Sequence, residues 1–190
     1  MSKKTVLATL KKNRYLIISC AVLIAGIVFG TAVLKYLPNE LCRSIYEITS
    51  KESENFYIGF IDKFTLPFII ITALYLSGFS AAGQVTAGIA VFSDGAIYGL
   101  KNAVNFSFGG TDFFVSALLE YFTFTVFIGF LLLIMSENAF ASARKICVSL
   151  KSDAAEKPRY NAKNLTVKYI AFTAVFAVFS VFSVFASSFF

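Results

Sequence analysis

Apolar positions along this chain fall in long unbroken blocks separated by short polar segments. The blocks are Tyr15 to Leu34 (YLIISCAVLIAGIVFGTAVL), Phe64 to Ala82, Gln84 to Leu100, Phe113 to Met135 and Val167 to Phe190. A bilayer's hydrocarbon core is about 30 Å thick and a helix rises about 1.5 Å per residue, so about 20 apolar residues make one crossing. The pattern predicts an all-α, polytopic membrane helical bundle in a single domain, 1–190. About five transmembrane helices are expected, near 15–37, 64–82, 84–100, 113–135 and 167–190.

The segments between the blocks refine this picture. The second and third blocks meet at SGFSAAGQVTAG (Ser77–Gly88), which is rich in small residues and free of charge. That junction predicts a tight helical hairpin. Both spans are short, so a re-entrant or broken pair of helices is the alternative. Within the acidic stretch 38–63, Pro38 suits a first helical turn, and Leu41, Ile45 and Ile48 recur at helical spacing. A short amphipathic helix at the membrane surface is expected there, the alternative being a loop helix packed on the bundle. The first block follows a basic start, as a secretory signal does. It is longer than an ordinary signal core and no A-x-A site follows, so a retained anchor is expected.

Composition agrees with the blocks. Hydrophobic residues make up 57% of the chain and charged ones 15%, whereas soluble domains carry roughly a quarter charged residues. The net charge of +6 does not mark a nucleic-acid surface, because the cations gather at span ends rather than beside stacking aromatics. With the amino terminus cytoplasmic, five crossings place Lys3, Lys4, Lys11, Lys12, Arg14, Arg144, Lys145, Lys151, Lys157, Arg159, Lys163 and Lys168 inside. Lys35, Arg43, Lys51, Lys63 and Lys101 fall outside. This excess of positive charge inside sets the orientation, with the carboxyl terminus outside. Cys42 and Cys147 then lie on opposite sides, which leaves no intrachain disulfide framework. Histidine is absent, and with it the commonest metal ligand and general base.

Ionisable groups inside a membrane are costly and are therefore candidate functional positions. Asp94 and Glu120 are such groups. They lie eight and nine residues from the turn expected at Asn102–Thr111, at similar depth toward the outer leaflet. Two carboxylates brought close share a proton, as a cation or proton site requires; the simpler reading is structural pairing, with Lys101 two turns from Asp94. Gly26 with Gly30, and Gly95 with Gly99, form GxxxG pairs that suit internal helix packing or a homo-oligomer. In the last block Phe172, Phe176, Phe179, Phe182 and Phe185 form a stripe expected to face lipid, with small residues against the bundle. GxSxG, HExxH and P-loop motifs are missing, so neither catalysis nor a cofactor or metal is expected.

The chain resembles the stage II sporulation protein M family. The resemblance rests on YLIISCAVLIAGIVFG (Tyr15–Gly30), where a basic start leads into an apolar run ending in G-x-x-x-G. It rests equally on LSGFSAAGQVTAGIAVFSDGAIYG (Leu76–Gly99), with small residues at the turn and glycines along the next helix. The resemblance implies a noncatalytic scaffold in a bacterial cell membrane. Such a scaffold recruits peptidoglycan-degrading partners, stage II sporulation proteins D and P, to the septal membrane during engulfment. Pro38–Lys63, with Leu41, Ile45 and Ile48, and the loop Asn102–Asp112 would then face partners. Asp94 and Glu120 belong to no motif of that family. The alternative is a small transporter, or a substrate-binding membrane subunit of an uptake system, which would converge Asp94, Glu120, Gln84 and Asn105 on one cavity.

Overall fold

The computed structural model describes residues 13–50, 56–151 and 162–187, without the side chains at 49–50, 110–126, 151, 183 and 186–187. The described residues are helical, with no strand among them: α1 (Arg14–Val33) closed by a 3-10 turn (Leu34–Tyr36), α2 (Asn39–Ser50), α3 (Phe56–Ser77), α4 (Gly83–Lys151) and α5 (Ala162–Ser187). Among the described residues, four helical stretches are long and apolar enough to cross a membrane: Arg14–Tyr36, Phe56–Ser77, Phe127–Leu150 and Ala162–Phe182. Their outward faces carry large apolar side chains, among them Ile24, Val28, Ile69, Leu76, Ile170, Val178 and Phe182. A helix apolar on all sides is one whose surroundings are apolar too.

Several boundaries differ from those expected. The second span begins at Phe56 rather than 64 and ends at Ser77, because Tyr57, Ile58 and Ile61 extend the apolar surface past the charged Asp62 and Lys63. Pro67 sits inside this helix, as membrane helices tolerate. The chain turns over residues 78–82, held by Gly78 N–H to the Leu74 carbonyl (3.3 Å), Ser80 N–H to Ser77 (3.1 Å) and Gly83 N–H to Ser80 (3.0 Å). Any side chain at Gly83 would strike the Ser77 carbonyl, so the reversal depends on glycine there.

The larger difference concerns the third and fourth spans. Residues 83–151 are one continuous helical stretch, and the turn expected at Asn102–Thr111 is helical instead. Straight, those 69 residues would measure ~104 Å. Yet Gly83 lies against Ala143 and Gly88 against the Phe140 ring. The helix therefore doubles back into two antiparallel arms, 83–109 and 127–150 among residues with described side chains. Helix persists through 102–109 because packing holds it there: Val104 and Asn105 are buried, and Phe108 stacks on Tyr46 of α2 at 5.8 Å.

Both arms hold α1. Leu23 and Ile27 abut Gly95 and Gly99, so α1 runs parallel to the first arm. Tyr15 stacks on Phe140 at 6.1 Å, and Ser19 accepts a hydrogen bond from Ser136 at 2.7 Å, so α1 runs antiparallel to the second. On the other flank α3 and α5 are antiparallel, with Phe56 beside Phe185 (5.2 Å), Phe64 beside Phe176 (5.9 Å) and Tyr75 stacked on Tyr169 (4.3 Å). Between the flanks lies the core of Ile70, Ile71, Leu74, Leu131, Leu132, Met135 and Phe176. Phe176 thus departs from the lipid-facing stripe: it is 1% exposed, whereas Phe182 is 73% exposed. Because the phenylalanines recur at three or four residues, their stripe winds around α5 and enters the core at one turn.

Candidate functional site

The glycine pairs meet one another. A Cβ at Gly26 would run into the Phe92 carbonyl, one at Gly30 into Ala96, one at Gly95 into Leu23 and one at Gly99 into Ile27. This reciprocal contact brings two backbones together with no side chain between them, the geometry that small residues permit in a membrane bundle. Thr31 of α1 reinforces it, donating to the Ile27 carbonyl at 2.9 Å and approaching the Gly99 carbonyl at 3.5 Å.

The intramembrane polar candidates are not gathered in one place. Gln84 stands in the first turn of α4 and Asn105 in the same arm, separated by ~31 Å of helix rise. Asp94, partly buried, lies ~17 Å from Gly83 along the arm. It has no hydrogen bond or ion pair among the described residues. Lys101 lies within electrostatic reach of Tyr98 on its own helix and Asp62 of α3. Glu120 is helical, but its side chain lies outside the described residues, and so does any pairing with Asp94. Lys3, Lys4, Lys11, Lys12, Lys51, Lys157 and Arg159 lie outside them too.

Neutral polar groups, one lysine and one arginine stitch the helices together. Thr72 pairs with Tyr169 at 3.2 Å and Tyr75 with Thr166 at 3.1 Å. Lys168 donates to the Asn138 side-chain carbonyl at 2.6 Å, and Arg144 donates to the Tyr15 hydroxyl at 2.8 Å. All of these sit at the end of the bundle where α1 begins, at the level of Tyr15, Tyr75 and Tyr169. Sequence reasoning followed the carboxylates and passed over this layer. Its signal was present as Thr72, Ser136, Asn138 and Thr166 within or beside apolar blocks.

At the opposite end lies α2. Its first intrahelical bond runs from Cys42 N–H to the Pro38 carbonyl at 3.1 Å, so Pro38 leads into the helix from just outside it. Arg43 and Glu47, one turn apart, form an exposed ion pair at 3.2 Å. The face that packs on the bundle is Cys42, 3% exposed, with Tyr46 against Phe108. The other apolar stripe is left outward: Leu41 is 51% and Ile48 77% exposed, with Ile45 between them partly buried. The helix therefore has two apolar faces, one docked and one open. No family model, curated protein or solved structure matches the chain.

Proposed function

We propose that this protein is a noncatalytic scaffold of a bacterial cell membrane, with five crossings and a cytoplasmic amino terminus, that recruits peptidoglycan-remodelling partners at the septal membrane. The fifth crossing is the first arm of α4, which lies alongside α1 over Gly95–Gly99. The observation that carries the reading is α2. It is fixed to the bundle by Cys42 and Tyr46 while Leu41 and Ile48 project outward. A helix that only closed a loop would need one apolar face. A second, held rigidly, is what a partner's apolar groove engages through i, i+4 and i+7 anchors. The resemblance to the sporulation family supplies the kind of partner, and the cationic end opposite α2 agrees with the orientation.

The test is affinity capture of wall-degrading partners from sporulating cells, with Leu41→Asp and Ile48→Asp introduced together. Capture is expected to fall at least tenfold while the protein still accumulates in the membrane fraction, because desolvated apolar anchors dominate such interfaces. Capture that persists undiminished would remove α2 as the recruiting surface.

A further inference from the structure

Between the end of the second arm of α4 and the start of α5 lies a cleft of about 170 Å³, lined by Asn138, Ala141, Ser142, Lys145, Asn164, Leu165 and Lys168. That is room for ~5 waters or a group of similar bulk. Asn138, Ala141, Ser142 and Lys145 follow one another at helical spacing, so a single face of α4 looks into it. Asn164 and Lys168, one turn apart, look in from α5. Two ammonium groups, two amides and a hydroxyl converge, and no acid lines the cleft among the described residues.

The lining is held in place. Asn138 donates to the Ile134 carbonyl at 2.7 Å and accepts from Lys168 at 2.6 Å, which fixes the amide and aims the half-buried lysine. Lys145 is exposed at the rim. The neighbouring cation Arg144 is turned away toward Tyr15, and Lys163, also exposed, is not part of the lining. The cleft lies at the level of Tyr15, Tyr75 and Tyr169, and a ring of tyrosines is where a bundle meets the headgroup layer. A group resting here would have its charged part among the lysines and its apolar body toward the hydrocarbon, with Leu165 the apolar member of the lining.

We propose that this cleft binds the phosphate of an anionic phospholipid from the leaflet at the amino-terminal end of the bundle. Basic clefts between membrane helices at headgroup depth hold anionic headgroups through charge-assisted hydrogen bonds. The site depends on the membrane residence of the helices and not on the scaffold role, so either can fail without the other.

The experiment is a binding titration of the purified full chain in neutral detergent with phosphatidylglycerol, followed by native mass spectrometry. Phosphatidylcholine of equal chain length and inorganic phosphate serve as comparison arms. Phosphatidylglycerol is expected to bind in preference to phosphatidylcholine, and Lys145→Gln and Lys168→Gln each to weaken it about fivefold. Lys163→Gln removes the same charge at the same end and is expected to leave binding unchanged. Lys145 is exposed and makes no contact that folding requires, so its variant keeps the test meaningful if Lys168→Gln loosens α5. Equal losses from Lys163→Gln and Lys145→Gln would overturn the site in favour of diffuse attraction. Equal binding of phosphatidylcholine would overturn the role of charge, and displacement of the lipid by millimolar phosphate would make the ligand a free anion instead.

Discussion

Gly26, Gly30, Gly95 and Gly99 are where single atoms matter most, since each opposes a backbone carbonyl rather than a side chain that can move aside. Gly26→Leu or Gly99→Leu is expected to destabilise the protein by about 1–3 kcal/mol, the usual cost of overpacking a tight contact. The two together should cost less than their sum, because either one alone separates α1 from the first arm. Unfolding in detergent monitored by circular dichroism measures this. Gly129, with open space around it, provides the contrast: Gly129→Ala should be neutral or slightly stabilising, as helix propensity alone dictates. Asp94, for all its prominence in the sequence, makes no hydrogen bond or ion pair among the described residues.

Among the elements, α1 was legible almost to the residue, because a block apolar on every side leaves one reading, whereas α5 begins at Ala162, five residues before the expected Val167. The first arm of α4 was harder. Asn102, Asn105 and Ser107 read as a turn, yet they are helical because α2 lies across them and Phe108 stacks on Tyr46, a partner 62 residues away that no local pattern announces. The same limit applies to Lys168, which reads as a loop cation and is folded in against Asn138. For α2, the spacing of Leu41, Ile45 and Ile48 announced an amphipathic helix. It did not announce that Cys42 and Tyr46 would be the docked side. The two faces should respond differently. Ile48→Asp is expected to change stability by less than about 0.5 kcal/mol, as exposed substitutions do. Tyr46→Ala, which removes an aromatic partner from Phe108, is expected to cost about 1 kcal/mol or more. Thermal melts of the two variants in detergent separate the faces.

At the scale of the whole molecule, the ends of the bundle differ in chemistry. One carries Arg14, Arg144, Lys145, Lys163 and Lys168; the other carries α2 with Glu40 and Glu47. In the proposed topology an impermeant maleimide added to intact cells should label Glu47→Cys and leave Cys147 unmodified until the membrane is permeabilised. Cys20 and Cys42, replaced by serine, complete the background. The reverse labelling pattern would invert the orientation, and labelling of both from outside would mean an even number of crossings between them instead of the proposed three.

The partnership of α1 with α4 also constrains the order of assembly. Chains leave the ribosome amino end first, and α1 packs chiefly on a helix that begins 50 residues after it ends. Its glycine-lined flank has nothing to close against until Gly99 has been made, and its serine contact waits for Ser136. During that interval α1 is a lone hydrophobic rod with a notch in its side. A chain stopped after Ser77 should therefore insert and yet be cleared rapidly by membrane proteases, whereas one stopped after Lys151 should persist. Pulse-chase lifetimes of the two truncations measure the difference. Quality control of this protein is in that sense written into the distance between two pairs of glycines.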